Sequence, residues 1–221
     1  LKKKHLTEYL DDTRETQQII VENTARVGEI IDSFKMVSVD QATARPRGFE
    51  LPGYLHDILR TLKVRIIKTE HTVEIAHKGR IDVTGFPGAF AQIITNLLNN
   101  AFLHAFEPGQ AGVVRIEIDS DDDGETVVVR FSDNGTGIPP EVQPHIFSPF
   151  YTTKAEAGGT GLGLNIVRTL VRDTFAGTIG CESISGEGTT FTIRFPRVAA
   201  DVEEGETSGQ LTSAWWQRML E

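Results

Sequence analysis

The sequence contains little cysteine, little positive charge and no long apolar run. Among its 221 residues Cys181 is the single cysteine, which excludes an internal disulfide and a cysteine-cluster metal site. Lys and Arg number 22 against 31 Asp and Glu, so the formal net charge is -9. This balance argues against nucleic-acid binding, which requires a basic surface. No apolar run reaches the ~18 residues needed to cross a bilayer, and no signal peptide is visible.

The chain opens without a methionine, so we treat it as a piece of a longer protein. Its single cysteine lies in the strand-like stretch TIGCESI, where we expect inert packing and a reducing environment. We therefore expect this portion to be cytoplasmic. Whether the full-length chain is anchored in a membrane is left open by these residues.

Breaker residues and hydrophobic spacing divide the chain into four parts. Residues 1–40 have positions spaced three and four apart, as in one helix of a bundle, but no partner helix is apparent. A breaker-rich stretch over 41–48 predicts a hinge, and one domain spans 49–197. Residues 198–221 have the composition of a linker and end in a short amphipathic stretch.

Within the domain, the hydrophobic patterns predict a mixture of helices and strands. The expected helices cover 53–67, 93–106 and 162–174, and the expected strands cover 72–76, 113–119, 126–133, 178–183 and 189–195. This order predicts an α+β fold, a two-layer α/β sandwich in which helices cover one face of a mixed, mostly antiparallel sheet.

The predicted helix IITNLLNNAFLHAF, residues 93–106, carries polar residues in an otherwise apolar pattern. Asn96, Asn100 and His104 are four residues apart and therefore share one face of the helix. Packing against a core gives no reason for such a stripe. We therefore expect this face to meet a ligand, whereas Asn99 lies off the stripe and is assigned to structure or surface.

Two glycine-rich stretches flank a further candidate site. In DNGTGIPP a strand ends at Asp133, whose carboxylate is able to accept from an exocyclic amine, while Gly135 and Gly137 permit a tight turn. In GGTGLGLNIV, residues 158–167, glycines precede a helix whose N–H groups suit a phosphate. Lys154 lies between them, either near that phosphate or in solvent. A tight turn with a capping Asp is the alternative for the first stretch.

Five motifs follow one another in the order NLLNN, DNGTG, FSPF, GTGLG and GEGTTF. Over about residues 49–196 this order resembles the ATP-binding catalytic domain of sensor histidine kinases, in the superfamily that includes gyrase, Hsp90 and MutL. The preceding residues resemble the second helix of the kinase dimerisation and phosphoacceptor bundle. The resemblance implies ATP and Mg²⁺ as cofactors and a response regulator receiver domain as partner. It also implies a homodimer through the bundle helices of the full-length chain.

The resemblance further implies roles for individual residues. Asn100 matches the Mg²⁺ ligand, Asn96 the polar position near the γ-phosphate, and Asp133 the acid that recognises adenine. His104 lies near the position of a basic residue that faces phosphate, or is an ordinary polar-capped histidine. Gly135, Gly137 and Ile138 are implied to lie beneath the base, and Thr189 to support adenine through water. Phe147 and Phe150 match the aromatics that anchor the family's lid segment. The other implied nucleotide-binding residues are Lys154 and the second glycine box, Gly159, Thr160, Gly161, Leu162, Gly163 and Leu164.

The reaction that the resemblance implies is transfer of the ATP γ-phosphoryl group to a histidine, for relay to a response regulator aspartate. The family's nucleophilic histidine is commonly followed by Glu or Asp. Of the six histidines here, His56 alone precedes an acid, and it lies inside the ATP-binding domain. The phosphoacceptor helix is thus expected to be missing, so that the chain binds ATP without phosphorylating itself. The alternatives are an ATP-hydrolysing relative, which has Glu where this chain has Asn96, and a nucleotide-sensing pseudokinase.

Overall fold

A computed structural model describes residues 46–67, 69–107, 109–155 and 158–198, together with Thr13, Arg14, Thr16 and Gln17 in a helix. The chain divides into the units Leu1–Val39 and Asp40–Glu221, and residues 46–198 belong to the second. The rest of the predicted bundle helix, hinge residues 41–45 and residues 199–221 of the tail lie outside the described residues. No described helix has the length and apolarity needed to cross a membrane.

A five-stranded mixed sheet forms the centre of the domain. Its strands are β2 Thr72–His77, β4 Val113–Ser120, β5 Thr126–Asp133, β6 Thr178–Ile184 and β7 Gly188–Pro196. Their order is β2-β4-β5-β7-β6, and only the β2–β4 pairing is parallel. A separate antiparallel pair joins β1 Arg47–Glu50 to β3 Asp82–Gly85.

Three α-helices complete the described part of the domain. They are α1 Leu51–Ile67, α2 Pro87–Asn100 and α3 Gly163–Thr169, and π-helical turns extend α2 over Ala101–Ala105 and α3 over Leu170–Thr174. At the start of α1 the Glu50 carboxylate accepts the Gly53 backbone N–H at 2.5 Å. Pro87 starts α2, where its fixed φ suits a first helical turn and its missing N–H costs nothing.

The core lies between one face of the sheet and the helices. Alternate residues of the central strands are at most 3% exposed: Val114, Ile116 and Ile118 on β4, Val127, Val129 and Phe131 on β5, and Phe191, Ile193 and Phe195 on β7. The apolar stripe of α2 is also buried, including Ile93, Ile94, Leu97 and Leu98. On the opposite face Arg115 pairs with Glu74, and Arg194 with Asp121. The predicted α+β sandwich, with helices on one face of a mostly antiparallel sheet, is confirmed.

The elements differ from the sequence-based expectation at a few places. Strand β3 was not expected, because its four residues DVTG are too short to show a pattern and pair only with β1. Strand β1 begins at Arg47, within the stretch predicted as a hinge. Helix α1 begins at Leu51, two residues early, and the helix expected over 162–174 is α3 followed by its π-helical turn.

We expect Phe131→Ala to destabilise the domain by about 3–5 kcal/mol, because removal of a fully buried ring leaves a cavity. Phe131 is 0% exposed. Urea unfolding of the purified chain, followed by far-UV circular dichroism, measures the loss. Arg130→Ala, on the neighbouring and half-exposed position of the opposite face, is the control and should cost no more than about 0.5 kcal/mol. Equal losses for the two variants would show that the faces of β5 are wrongly assigned.

Candidate functional site

A cavity of ≈ 350 Å³ opens where the end of α2 meets the turn after β5 and the β6–β7 hairpin. This volume falls in the range of roughly 300–1,000 Å³ found for small-molecule sites. Eight of the residues predicted to bind nucleotide line it: Asn100, His104, Asp133, Gly137, Ile138, Lys154, Leu164 and Thr189. Residues that are far apart in the sequence thus share one concave surface.

The π-helical turn after α2 holds the turn after β5 in place. Its last residue, Ala105, accepts the Thr136 backbone N–H at 2.7 Å. A Cβ on Gly135 would overlap that same carbonyl oxygen. A Cβ on Gly137, where φ is 68°, would overlap the carbonyl oxygen of Ile184. Glycine is therefore required at both positions, and the DNGTG turn lies directly between the helix end and the β6–β7 hairpin.

Asp133 provides a half-buried carboxylate at the end of β5. Its Oδ1 accepts the Gly135 backbone N–H at 3.0 Å. Burial raises the pKa of the Asp133 carboxyl above its usual value, and the backbone N–H groups of Gly135 and Thr189 partly offset this rise. These donors fix the orientation of the carboxylate, and it retains the capacity to accept a hydrogen bond from a ligand in the cavity.

A hydrogen-bond network centred on Ser183 supports the same end of the cavity. Ser183 Oγ accepts the Ile138 backbone N–H at 2.8 Å, and it lies 2.9 Å from both the Gly188 carbonyl oxygen and Thr189 Oγ1. The side-chain amide of Gln143 donates to the carbonyl oxygens of Ile138 at 2.8 Å and Ser183 at 3.0 Å. The backbone of Ile138 is therefore held at both its N–H and its carbonyl group.

The residues of the polar stripe on α2 differ in whether they reach the cavity. Asn100 and His104 line the cavity, whereas Asn96 does not, although its Nδ2 is buried without a hydrogen-bond partner among the described residues. His104 Nδ1 lies 3.3 Å from Thr153 Oγ1. Burial, and secondarily the positive charge of Lys154, lowers the pKa of His104 below its ordinary 6.5. The imidazole is therefore mostly neutral at pH 7, and Lys154 is the cation on this part of the wall.

Residues 139–155 and 158–162, which lie between the β5 turn and α3, are called the connecting segment and contribute the remaining wall. Phe147 packs edge-on against Phe191, with ring centroids 6.3 Å apart, and the buried Asn165 donates to its carbonyl oxygen at 3.0 Å. Phe150 differs from the expectation of an anchor, because the residue is 61% exposed. Its φ of 64° is unusual for a bulky residue. Only the first of the two predicted aromatic anchors is packed.

The other predicted binding residues surround the cavity without lining it. They are Asn96, Gly135, Phe147, Phe150, Gly159, Thr160, Gly161, Leu162 and Gly163. Gly161 has a φ of 69°, and a Cβ there would overlap the backbone of Phe150. A Cβ on Gly159 would lie 2.5 Å from Thr152 Oγ1. These two glycines thus permit close packing of the connecting segment, and Leu164 alone of the glycine-rich motif reaches the cavity.

Several residues of the site were not expected from the sequence. Thr136 lies between the two glycines of the DNGTG motif, and this position could have indicated that it belongs to the site. Tyr151, Thr153 and Ser185 line the cavity from loops with no distinctive pattern. Ser183 belongs to an ordinary alternating strand, so no local signal distinguishes it.

The charged and polar groups of the wall define the class of ligand. Asp133 offers an acceptor beside the hairpin, and Lys154 offers a positive charge beside the neutral His104. A nucleotide combines a hydrogen-bond-donating base with anionic phosphates and matches both. The sandwich fold and this arrangement of groups therefore define a nucleotide-binding domain.

Comparison with known proteins identifies the family. Residues 85–199, just over half of the chain, match the family described as histidine kinase-, DNA gyrase B-, and HSP90-like ATPase, and the chain belongs to this family. The sensor kinase CckA of Brucella abortus (strain 2308) is 35% identical over 190 residues, covering 81% of this chain and 20% of CckA. The sensor kinase/phosphatase CqsS of Vibrio cholerae is 32% identical over 169 residues, covering 75% of this chain and 24% of CqsS.

A solved structure gives the same result for the fold. The catalytic domain of histidine kinase ThkA, in a nucleotide-free form, superposes with a TM-score of 0.61 at 27% identity, covering 70% of this chain and 97% of that domain. The resemblance to the ATP-binding domain of sensor histidine kinases is thus confirmed. This chain spans only 20% of CckA and 24% of CqsS, so it corresponds to a part of such proteins.

We expect Gly135→Ala to destabilise the domain by about 1–3 kcal/mol, because overpacking would displace the β5 turn from the end of α2. Urea unfolding of the purified chain measures the change. Gly48→Ala is the matched control, since a Cβ there meets nothing within 4 Å, and it should be close to neutral. A Gly135→Ala protein as stable as the control would mean that the turn does not lie against Ala105.

Proposed function

We propose that this chain is the ATP-binding catalytic portion of a sensor histidine kinase. It binds Mg-ATP and transfers the γ-phosphoryl group to a histidine, from which the group is relayed to an aspartate of a response regulator. The observation that carries the proposal is the shared cavity of Asn100, Asp133 and Thr189, which come from three separate motifs. The family membership and the sensor kinase relatives support it.

The base of ATP is proposed to bind at the hairpin end of the cavity. The oriented carboxylate of Asp133 accepts from the exocyclic amine of adenine. Ile138 and Gly137 contribute the wall beneath the ring, where the absence of a side chain on Gly137 leaves room for close approach. Thr189, which is 5% exposed, supports the base directly or through water.

The phosphates and Mg²⁺ are proposed to bind near the end of α2. The side-chain oxygen of Asn100 suits Mg²⁺, a hard cation that takes oxygen ligands from protein, phosphates and water. One turn earlier on α2, the buried Nδ2 of Asn96 lacks a partner among the described residues, and we propose that it turns to a phosphate oxygen when the nucleotide binds. When bound, Mg²⁺ neutralises phosphate charge, and Lys154 supplies a further positive charge.

The chemistry at Asn96 favours phosphoryl transfer over hydrolysis. A carboxylate at this position would be able to accept a proton from an attacking water, but an amide does not accept it at neutral pH. Catalysis by this chain then consists of holding the γ-phosphate in line with an incoming imidazole nitrogen and shielding its charge. His104 and Thr153, 3.3 Å apart, join the end of α2 to the connecting segment on the phosphate side.

The partners are proposed from the same family. Histidine kinase ThkA, whose catalytic domain is similar to this chain, has been solved in complex with the response regulator TrrA. We propose a receiver domain as the partner here, and homodimerisation through bundle helices in the full-length protein. The catalytic portion is proposed to work in the cytoplasm, where ATP and the response regulator are available.

We expect Asn100→Ala to abolish Mg-dependent ATP binding without unfolding the domain, because the substitution removes the proposed metal ligand from the cavity wall. Isothermal titration calorimetry with Mg-ATP measures the affinity, and circular dichroism checks the fold. Asn99→Ala, a half-buried neighbour off the stripe, is the matched control and should bind normally. Unchanged affinity in Asn100→Ala would contradict the assignment of the stripe to Mg-ATP.

The transfer reaction itself is tested by supplying the acceptor separately. We expect the chain to phosphorylate a histidine-bearing helical bundle of a sensor kinase in trans from radiolabelled ATP, giving acid-labile phosphate on the bundle and none on the chain. Asn100→Ala is the inactive control. Stable phosphate on the chain alone would contradict the proposed absence of self-phosphorylation. Fast steady ATP hydrolysis without any bundle would favour the ATP-hydrolysing relatives.

A further inference from the structure

Two hydroxyl groups lie opposite each other at the hairpin end of the cavity. Ser183 on β6 and Thr189 on β7 are direct cross-strand partners, and their oxygens are 2.9 Å apart. Thr189 lines the cavity, and its side chain is almost completely buried. Each hydroxyl has one hydrogen to donate, so the direction of the bond between them decides what Thr189 offers to a ligand.

The neighbours of Ser183 determine that direction. Ser183 Oγ lies 2.9 Å from the Gly188 carbonyl oxygen, which only accepts, and 2.8 Å from the Ile138 N–H, which only donates. If Ser183 donated to Thr189, two acceptors would face each other at the Gly188 contact. All three bonds form only when Ser183 donates to Gly188 and Thr189 donates to Ser183. The hydrogen of Thr189 is then used, and a ligand meets its oxygen lone pairs.

The same end of the cavity contains a second acceptor. Asp133 accepts backbone N–H groups from Gly135 and Thr189, and as a carboxylate it has no hydrogen to offer. An amino group on a bound base that contacts both oxygens directly is therefore stabilised by both residues. A carbonyl oxygen in the same place would face two acceptors and lose its hydrogen bond to water without replacement.

We propose that Ser183 is a specificity-determining positioning residue, which directs the hydroxyl of Thr189 so that the cavity selects a purine with an exocyclic amine over one with a carbonyl. The proposal rests on the proposed nucleotide-binding function and extends it to a residue outside the five motifs. Ser183 does not touch the base. It acts through Thr189, because without Ser183 the Thr189 hydroxyl is free to rotate and donate to a carbonyl.

The test is the ratio of dissociation constants for Mg-GDP and Mg-ADP, measured on the purified chain by displacement of a fluorescent ADP analogue. Ser183→Ala should lower this ratio about fivefold, the factor expected for one net hydrogen bond. Ser183→Thr keeps the hydroxyl and should retain the wild-type ratio. Ser132→Ala is the matched control, because it breaks a similar bond to Thr190, 3.0 Å long, on the opposite face of the sheet. The ratio of dissociation constants for Ser132→Ala should equal that of the wild-type chain.

A second set of variants, built on Thr189→Val, distinguishes this role of Ser183 from simple support of the fold. Thr189→Val removes the hydroxyl and keeps the shape, so it should lower the ratio by itself, and adding Ser183→Ala should then have no further effect. The ratio for Thr189→Val also tests the proposal if the Ser183→Ala protein does not fold. Equal weakening of ADP and GDP in Ser183→Ala, or a further change of ratio in the Thr189→Val background, would overturn the role of Ser183. Failure of the wild-type chain to bind ADP at all would instead overturn the proposed function.

Discussion

The hydrogen bond from the Thr136 amide to the Ala105 carbonyl joins the two halves of the site. Ala105 ends the π-helical turn that follows α2, and Thr136 lies in the turn that follows β5. The bond is possible because Gly135 brings no Cβ against the same carbonyl oxygen. Through this contact the helix that carries Asn100 and His104 is held beside the strand that ends in Asp133. A π-helical turn at this point is consistent with the frequent occurrence of such turns at functional sites.

The base end of the cavity depends on a second set of bonds, which tie loops to the edge of the sheet. Ser183 and Gln143 hold the backbone of Ile138 at its N–H and its carbonyl group, respectively. Since Gln143 lies in the connecting segment, this network joins that segment to β6 and to the turn after β5. At this end Asp133 and Thr189 both line the cavity and present acceptor oxygens. Two acceptors at one end restrict the ligand by hydrogen-bond polarity.

Much of the fold and part of the site could be predicted from the sequence. The strand-like stretch TVVVRFSD predicted β5 with its bounds, and the four-residue spacing of Asn96, Asn100 and His104 predicted a shared polar face. The spacing of residues along one helix or strand determines which of them share a face, so these predictions did not depend on the elements that pack against it. Strand β3 was missed because four residues carry no period, and its pairing with β1 is a contact between distant segments. Phe147 and Phe150 occur in one motif, and only the tertiary structure distinguishes the ring that packs against Phe191 from the exposed one.

The sequence by itself determined the class of fold, the order of most of its elements and the family to which the chain belongs, because these follow from local patterns and from motifs in a fixed order. Only the tertiary structure decided which motif residues line the cavity and which support it from behind. Asn100 lines it and Asn96 does not, although both lie on the same face of α2. Ser183 meets Ile138 across 45 positions of sequence, and the polarity of the Thr189 hydroxyl depends on that meeting. A hydrogen bond between such distant residues is determined by the packing of the sheet, and no local pattern records it.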